Sequence, residues 1–225
     1  RPDEQPITRR FTSLGEGLAL FRDDPLVHEP GTKVLYSTYG YTLLGCAAAS
    51  AAGRPFMALL RDAVFAPAGM TATRVDDVRG LIPNRAQGYV RDGEGELLNS
   101  ALADMTYKVP GGGLSSTAPD VARFGTALVS GRLLSADTLT QMLTRQKTRN
   151  GRVTGFGLGL ALGSRGGRRE AWHTGGQERV STAIYLQPDS GLAVAILTNL
   201  EKVQPHVLDL ARRVADLVTA RAVLR

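Results

Sequence analysis

Two apolar segments, Val180 to Leu186 and Leu192 to Thr198, joined by Pro188-Asp189-Ser190-Gly191, most restrict what this chain can become. The linking tetrapeptide has the composition of a type I turn, so the pair reads as a β-hairpin. Side chains on a strand alternate between two faces. Val180, Ile184 and Leu186 take one face, Ala183 and Tyr185 the other, and neither face is polar. Strands of this kind are covered on both sides. The hairpin is therefore expected in the middle layer of a sandwich, with helices above and below it.

Candidate helices are marked along the rest of the chain. Val207, Leu210, Ala211, Val214, Leu217 and Val218 trace one stripe at helical spacing, which predicts a final helix lying across the sheet. Residues 13 to 22 read as a short helix with Thr12 as its N-cap, broken by Asp24-Pro25. An Ala-rich helix is expected from Tyr39 to Ala52, ended by Gly53, and another from Pro55 that stops before Pro67. Residues 87 to 98 suggest a hairpin turning through Asp92-Gly93-Glu94-Gly95. Thr117 with Asp120 has the form of a capping box, and Val121, Phe124 and Leu128 line one face of the helix it opens. Ser135 caps a further helix that buries Leu139, Met142 and Leu143. From Phe156 to Leu162 residues alternate with glycine, and residues 170 to 174 read as a second short strand. The expected architecture is an α+β fold, an antiparallel sheet sandwiched by helices plus a mainly helical subdomain. By this reading residues 11–150 form the helical subdomain with its small hairpin, and 151–225 the strands and final helix.

Composition limits the function classes. The chain has 225 residues, 43% hydrophobic and 21% charged, an ordinary globular balance. Its net charge of +6 comes mostly from arginine, densest at Arg165 to Arg169 and at Arg212-Arg213, with no aromatics interleaved. Nucleic-acid binding is therefore not expected. Cys46 is the only cysteine, so neither an internal disulfide nor a cysteine-based zinc site can form. His28, His173 and His206 lack ligand spacing, so no metal is expected. Gly113-Leu114-Ser115-Ser116-Thr117 fails as a nucleophile elbow at its last position, and the glycines at 111 to 113 lack the Lys-Ser/Thr ending of a phosphate loop. No cofactor is expected either. No apolar run reaches the length of a membrane span.

Two segments carry chemistry. Tyr36-Ser37-Thr38 lies in a turn ahead of a helix, where a phenol can be held at a cleft edge. A tyrosine acts as a base only if nearby positive charge draws its pKa down from about 10. His173-Thr174-Gly175-Gly176 falls in a strand followed by glycines, where another backbone can approach closely. An extended acyl substrate can pair with such an edge, and the Gly176 N–H can supply an oxyanion donor. Taken alone, each segment reads first as structural, Tyr36 as a half-buried aromatic with a satisfied hydroxyl and His173 as a packing group beside Trp172.

Taken together, in order, these segments resemble the class C β-lactamase-like serine hydrolases. Pro30-Gly31 followed by Tyr36-Ser37-Thr38-Tyr39-Gly40-Tyr41-Thr42-Leu43-Leu44-Gly45 is similar to that family's Pro-Gly…Tyr-Ser-Asn-x-Gly-Tyr-x-Leu-Leu-Gly stretch. Phe65-Ala66-Pro67-Ala68-Gly69-Met70…Thr73 and Gly112-Gly113-Leu114-Ser115-Ser116-Thr117…Asp120…Phe124 resemble two further segments, and His173-Thr174-Gly175 stands in the place of Lys-Thr-Gly. Tyr-Ser-Thr, His-Thr-Gly-Gly and the Phe21 to Leu26 stretch are closest to the LACTB-type branch. The resemblance covers roughly residues 11 to 200 and implies a penicillin-recognising fold and acyl transfer through a serine ester. It assigns Tyr36 as general base and acid, His173 as an electrostatic aid, and Thr38, Thr174, Gly175 and Gly176 to substrate binding. It implies a peptide or other small acyl substrate, and a periplasmic, secreted or mitochondrial location according to source.

One element is missing from that pattern: no serine in the 225 residues has a lysine three positions on. The nucleophile of the family belongs to such a Ser-x-x-Lys segment. The expectation is that these residues are the C-terminal portion of a longer hydrolase and inactive alone. They should also expose apolar surface that favours self-association. The alternative is a non-catalytic relative that binds peptide or cell-wall-like ligands.

Overall fold

The computed structural model describes residues 7–223. Helices α1 (Leu14–Leu18), α2 (Thr38–Ala52), α3 (Phe56–Leu60) and α4 (Ala66–Ala68) come first. Strands β1 (Arg74–Val75), β2 (Tyr89–Arg91) and β3 (Leu97–Asn99) follow, then α5 (Val109–Gly112), β4 (Leu114–Ser115), α6 (Ala118–Val129) and α7 (Ala136–Met142). The last third is β5 (Ala161–Arg165), β6 (Arg168–Gln177), β7 (Val180–Gln187), β8 (Leu192–Thr198) and α8 (Gln204–Val223). The four long strands make one antiparallel sheet in the order β5-β6-β7-β8.

Both faces of that sheet are covered, as the apolar hairpin requires. On one face Leu162, Ala171 and Leu186 pack with Leu128 and Phe124 of α6 and with Leu139, Met142 and Leu143 at α7. On the other, Tyr185 and Val194 pack with Ala211 and Ala215 of α8. The sandwich thus draws α6 and α7 from ahead of residue 151.

Local chemistry explains most element ends. Ser37 caps α2 by accepting from the Gly40 N–H at 3.1 Å, and Gly53 closes it in the left-handed conformation at φ 61°. Ser13, not Thr12, caps α1, and Thr12 instead donates its hydroxyl to Glu16. The helix from Pro55 does not stop before Pro67. A widened turn at Arg61–Phe65 carries it on to Ala68, which removes the demand for an N–H at the proline. Arg165 to Arg169, read as a basic cluster, spans the turn of the β5-β6 hairpin, with Gly166 and Gly167 both at positive φ. Half of the expected capping box forms: Thr117 Oγ1 accepts from the Asp120 N–H at 3.3 Å, but the Asp120 carboxylate turns to Ala72 and Thr73.

The stripe on α8 is shifted from expectation. Val207, Ala211 and Ala215 face the sheet, whereas Leu210, Leu217 and Val218 are exposed. Small residues let the helix approach the sheet closely, and the Arg212 guanidinium lies over the Trp172 ring, 4.9 Å from its centroid.

Aromatic contacts seat the start of α2. Phe21 stacks on Tyr39 at 4.7 Å, and Tyr39 meets Tyr107, which meets Phe11. Beyond this anchor the apolar surface is open: Val34, Leu35, Leu43 and Leu44 are each more than half exposed. The outer edge of β8 has no strand partner among the described residues. Such surface drives association. The purified chain should bind ANS or self-associate as judged by light scattering, and a monodisperse, ANS-dark monomer would contradict this.

Candidate active site

Three elements converge on one line. Tyr36 precedes the first turn of α2, and its ring centroid lies 6.0 Å from that of His173 on β6, the planes inclined by 35°. Thr38 opens α2 and presses on the triple-glycine segment. A Cβ built at Gly111 would lie 2.8 Å from the Thr38 carbonyl oxygen and 2.9 Å from its methyl, so only glycine fits there. From the next residue, Gln177 Nε2 of β6 donates to the Gly112 carbonyl at 3.0 Å.

The strand between these contacts is open on one side. β6 pairs with β7 from Ala171 to Gln177, but with β5 only as far as Trp172. Residues 173–177 therefore present backbone donors and acceptors that no strand among the described residues satisfies. Alternation puts His173, Gly175 and Gln177 on the α6 side of the sheet, and Thr174 and Gly176 on the side of Trp172 and α8. At Gly176 the space a Cβ would need is filled by the Gln204 side chain, whose Cγ would be 2.8 Å away. Tyr36, His173 and Thr38 are thus brought to one strip. Gly175 and Gly176 can contribute to it through the backbone, and the Thr174 side chain starts from the opposite face. Gln177 was missed by motif reading, although its position two and four residues beyond Gly175 and His173 marks the shared face.

The two titratable groups of the pair are both uncharged at neutral pH. Tyr36 is 61% exposed by area; the partial burial of its hydroxyl, and secondly Tyr41, push the phenol above its ordinary value, so it keeps its proton at neutral pH. Burial pushes the His173 imidazole down, against a backbone hydrogen bond with Thr174 that acts the other way. His173 is therefore neutral at pH 7, a hydrogen-bonding group and not a cation. Between its folded pKa and 6.5, the unfolded chain binds more protons than the folded one. Stability should thus fall as pH drops through that window. Urea midpoints at about pH 7.5 and about pH 5.5 should differ more in the wild type than in His173→Gln, and equal differences would contradict the burial of the ring.

Comparison with known proteins bears on this arrangement. The mouse mitochondrial serine beta-lactamase-like protein LACTB is 36% identical over 125 residues, which cover 56% of this chain and 22% of that protein. The matched segment is thus less than a quarter of that relative's length. The D-amino acid amidase from Ochrobactrum anthropi SV3, solved with L-phenylalanine amide, superposes with a TM-score of 0.78 at 22% identity, over 97% of this chain and 68% of its own. An octameric penicillin-binding protein homologue from Pyrococcus abyssi gives a TM-score of 0.77 at 22% identity, over 96% of this chain and 49% of its own. The Beta-lactamase family model matches residues 3–219. A match over that span, on a sheet layered by helices as in these solved structures, means that this chain belongs to the Beta-lactamase family.

Proposed function

We propose that these residues form the tyrosine- and histidine-bearing wall of an acyl-transfer site in a serine hydrolase that acts on peptide or amide bonds. The observation that carries this reading is the Tyr36–His173 pair, 6.0 Å between centroids, beside the open edge at 173–177. A scissile acyl chain would lie along that edge, with its carbonyl oxygen at the Gly176 N–H. In a protein joined to a Ser-x-x-Lys segment, the lysine ammonium holds Tyr36 as a phenolate; the serine hydroxyl attacks the carbonyl carbon as its proton passes to that phenolate. The same proton goes to the leaving amine as the tetrahedral species collapses to an ester, which water then cleaves. His173 supports the phenol by hydrogen bonding, Thr38 contacts the substrate through its side chain, and Thr174 and Gly175 do so through the backbone of the open edge.

Without Ser-x-x-Lys in residues 1–225, the chain alone should not turn over nitrocefin. Turnover by the purified chain, abolished by Tyr36→Phe, would contradict that. Joined to a preceding segment that carries Ser-x-x-Lys, the protein should acylate with a fluorescent penicillin or a fluorophosphonate. There Tyr36→Phe should slow acylation by about 10²–10⁴-fold, the usual range for general acid–base groups. The raised pKa of Tyr36 favours a second reading, a non-catalytic member that binds peptide or cell-wall-like ligands at the same edge. Failure of every acylating probe on the joined protein, with peptide still bound, would select it.

A further inference from the structure

We propose that this chain binds a second copy of itself through two hairpin tips of opposite charge. The first tip joins β2 to β3 and reads Asp92-Gly93-Glu94-Gly95-Glu96, three carboxylates in five residues. It closes on Asp92, whose Oδ1 accepts from the Glu94 and Glu96 N–H groups at 2.9 Å each. The Glu94 and Glu96 side chains are left in solvent. The second tip precedes β5. There the Thr148 N–H donates to the Arg152 carbonyl at 3.0 Å and the Thr154 N–H to the Gln146 carbonyl at 2.9 Å, so residues 146–154 form a short hairpin. Lys147, Arg149 and Arg152 are exposed on it, and no carboxylate residue occurs from 138 to 169. Among the described residues, Glu94, Glu96, Lys147, Arg149 and Arg152 have no ion-pair partner. Arg91, beside the acidic tip, gives its guanidinium to the Gly95 carbonyl at 2.7 Å.

The fold keeps the two tips apart. The acidic hairpin is tied to the end of β8, where the Tyr89 N–H donates to the Asn199 carbonyl at 2.8 Å. The basic one leads into β5, with Phe156 bridged to Ala161. β5 and β8 are the two margins of the sheet, separated by three strand spacings or about 14 Å. Each tip also carries exposed apolar residues. Leu97 and Leu98, which follow Glu96, are 54% and 50% exposed, and Val153, 52% exposed, stands opposite Lys147 across its hairpin. A nucleic acid, an anionic bilayer or an acidic foreign protein would answer the basic tip and leave the carboxylates unmatched. A second copy answers both. Unlike tips attract and like tips repel, so the contact closes as a two-fold pair or continues head to tail, and never joins a tip to its own kind. Exposed ion pairs are individually weak and screened by salt, so the association is salt-sensitive.

Sedimentation velocity of the 225-residue chain at about 0.05 M and about 0.5 M salt tests the contact. The wild type should associate at the lower salt and at least about tenfold more weakly at the higher. At low salt, Glu94→Lys/Glu96→Lys and Lys147→Glu/Arg152→Glu should each associate at least about tenfold more weakly than the wild type. An equimolar mixture of those two variants, in which every tip again meets its opposite, should recover wild-type association. Asp92 stays in place in both because it holds its turn. Arg132→Glu/Arg213→Glu makes the same change in net charge away from the tips and should leave association unaltered. A wild type that is monomeric at low salt, a mixture that fails to recover, or a control that weakens association as much as Lys147→Glu/Arg152→Glu would each overturn the proposal. Association indifferent to salt and to every variant would belong to the apolar surface at α2 and overturn it too.

Discussion

An Asp120→Ala chain should melt about 5–10 °C below the wild type, a loss of about 2–3 kcal/mol. Asp120 is 1% exposed. Its carboxylate accepts from the Ala72 N–H at 2.8 Å, the Thr73 hydroxyl at 2.9 Å and the Arg123 guanidinium at 2.9 Å. Burial by itself would push the carboxyl up, but these bonds outweigh it and hold its pKa below the ordinary 3.8. Alanine strands the donors that lie out of water, and an unpaired buried donor costs its full desolvation. The sign of the pH dependence follows. A lowered folded pKa contributes stability that is present above 3.8 and lost as pH falls through the folded value. The gap between wild type and variant should therefore shrink in acid. Thermal melts by circular dichroism at neutral pH and below about pH 3 measure both effects. Equal melting temperatures at neutral pH would show that the clamp is not made. Its consequence reaches the site, because Thr73 also meets the Ser116 hydroxyl at 2.7 Å and β1 pairs with β4, which directly follows Gly113.

Gly45→Val should cost about 1–3 kcal/mol and disturb the site without touching it. Gly45 is buried on α2 against α5. A Cβ there would lie 2.7 Å from the Pro110 Cβ and closer still to its Cγ. A proline ring cannot rotate away, so the two helices must separate. Separation moves Gly111 off Thr38, and the amide resonances of residues 111–113 should shift along with the melting temperature. Gly53→Ala makes the contrast: Gly53 has no neighbour within 4 Å of its Cβ direction and only a left-handed φ of 61° to lose. It should cost about 1 kcal/mol and leave residues 111–113 unchanged. A Gly45→Val chain as stable as the wild type would refute the close packing of α2 on α5.

Much of the fold is legible in local patterns, and the exceptions share a cause. The two-sided apolar hairpin, Gly53 at the end of α2 and the turn at Asp92 all act within a few residues, so spacing reveals them. Leu217 looks like core by size and period, yet Ala211 and Ala215 take the buried positions. Distance between layers decides that, and sequence does not state it. Asp120 has the spacing of a capping box, but its partners lie 47 and 48 residues away. The candidate site was legible as two motifs. Their meeting across the strip is a tertiary fact, as are the Gln177–Gly112 bond and the neutrality of His173, which burial sets.

The central claim is spatial, that the Tyr36 phenol and the His173 imidazole face one another beside an open strand edge. A nuclear Overhauser measurement between their ring protons, with Tyr36→Phe and His173→Gln to assign the signals, tests it most directly. Rings 6.0 Å apart between centroids should give a cross-peak that disappears in the His173→Gln chain. Assigned rings with no cross-peak between them would place the two groups apart, and the hydrolase-site reading would fall with them.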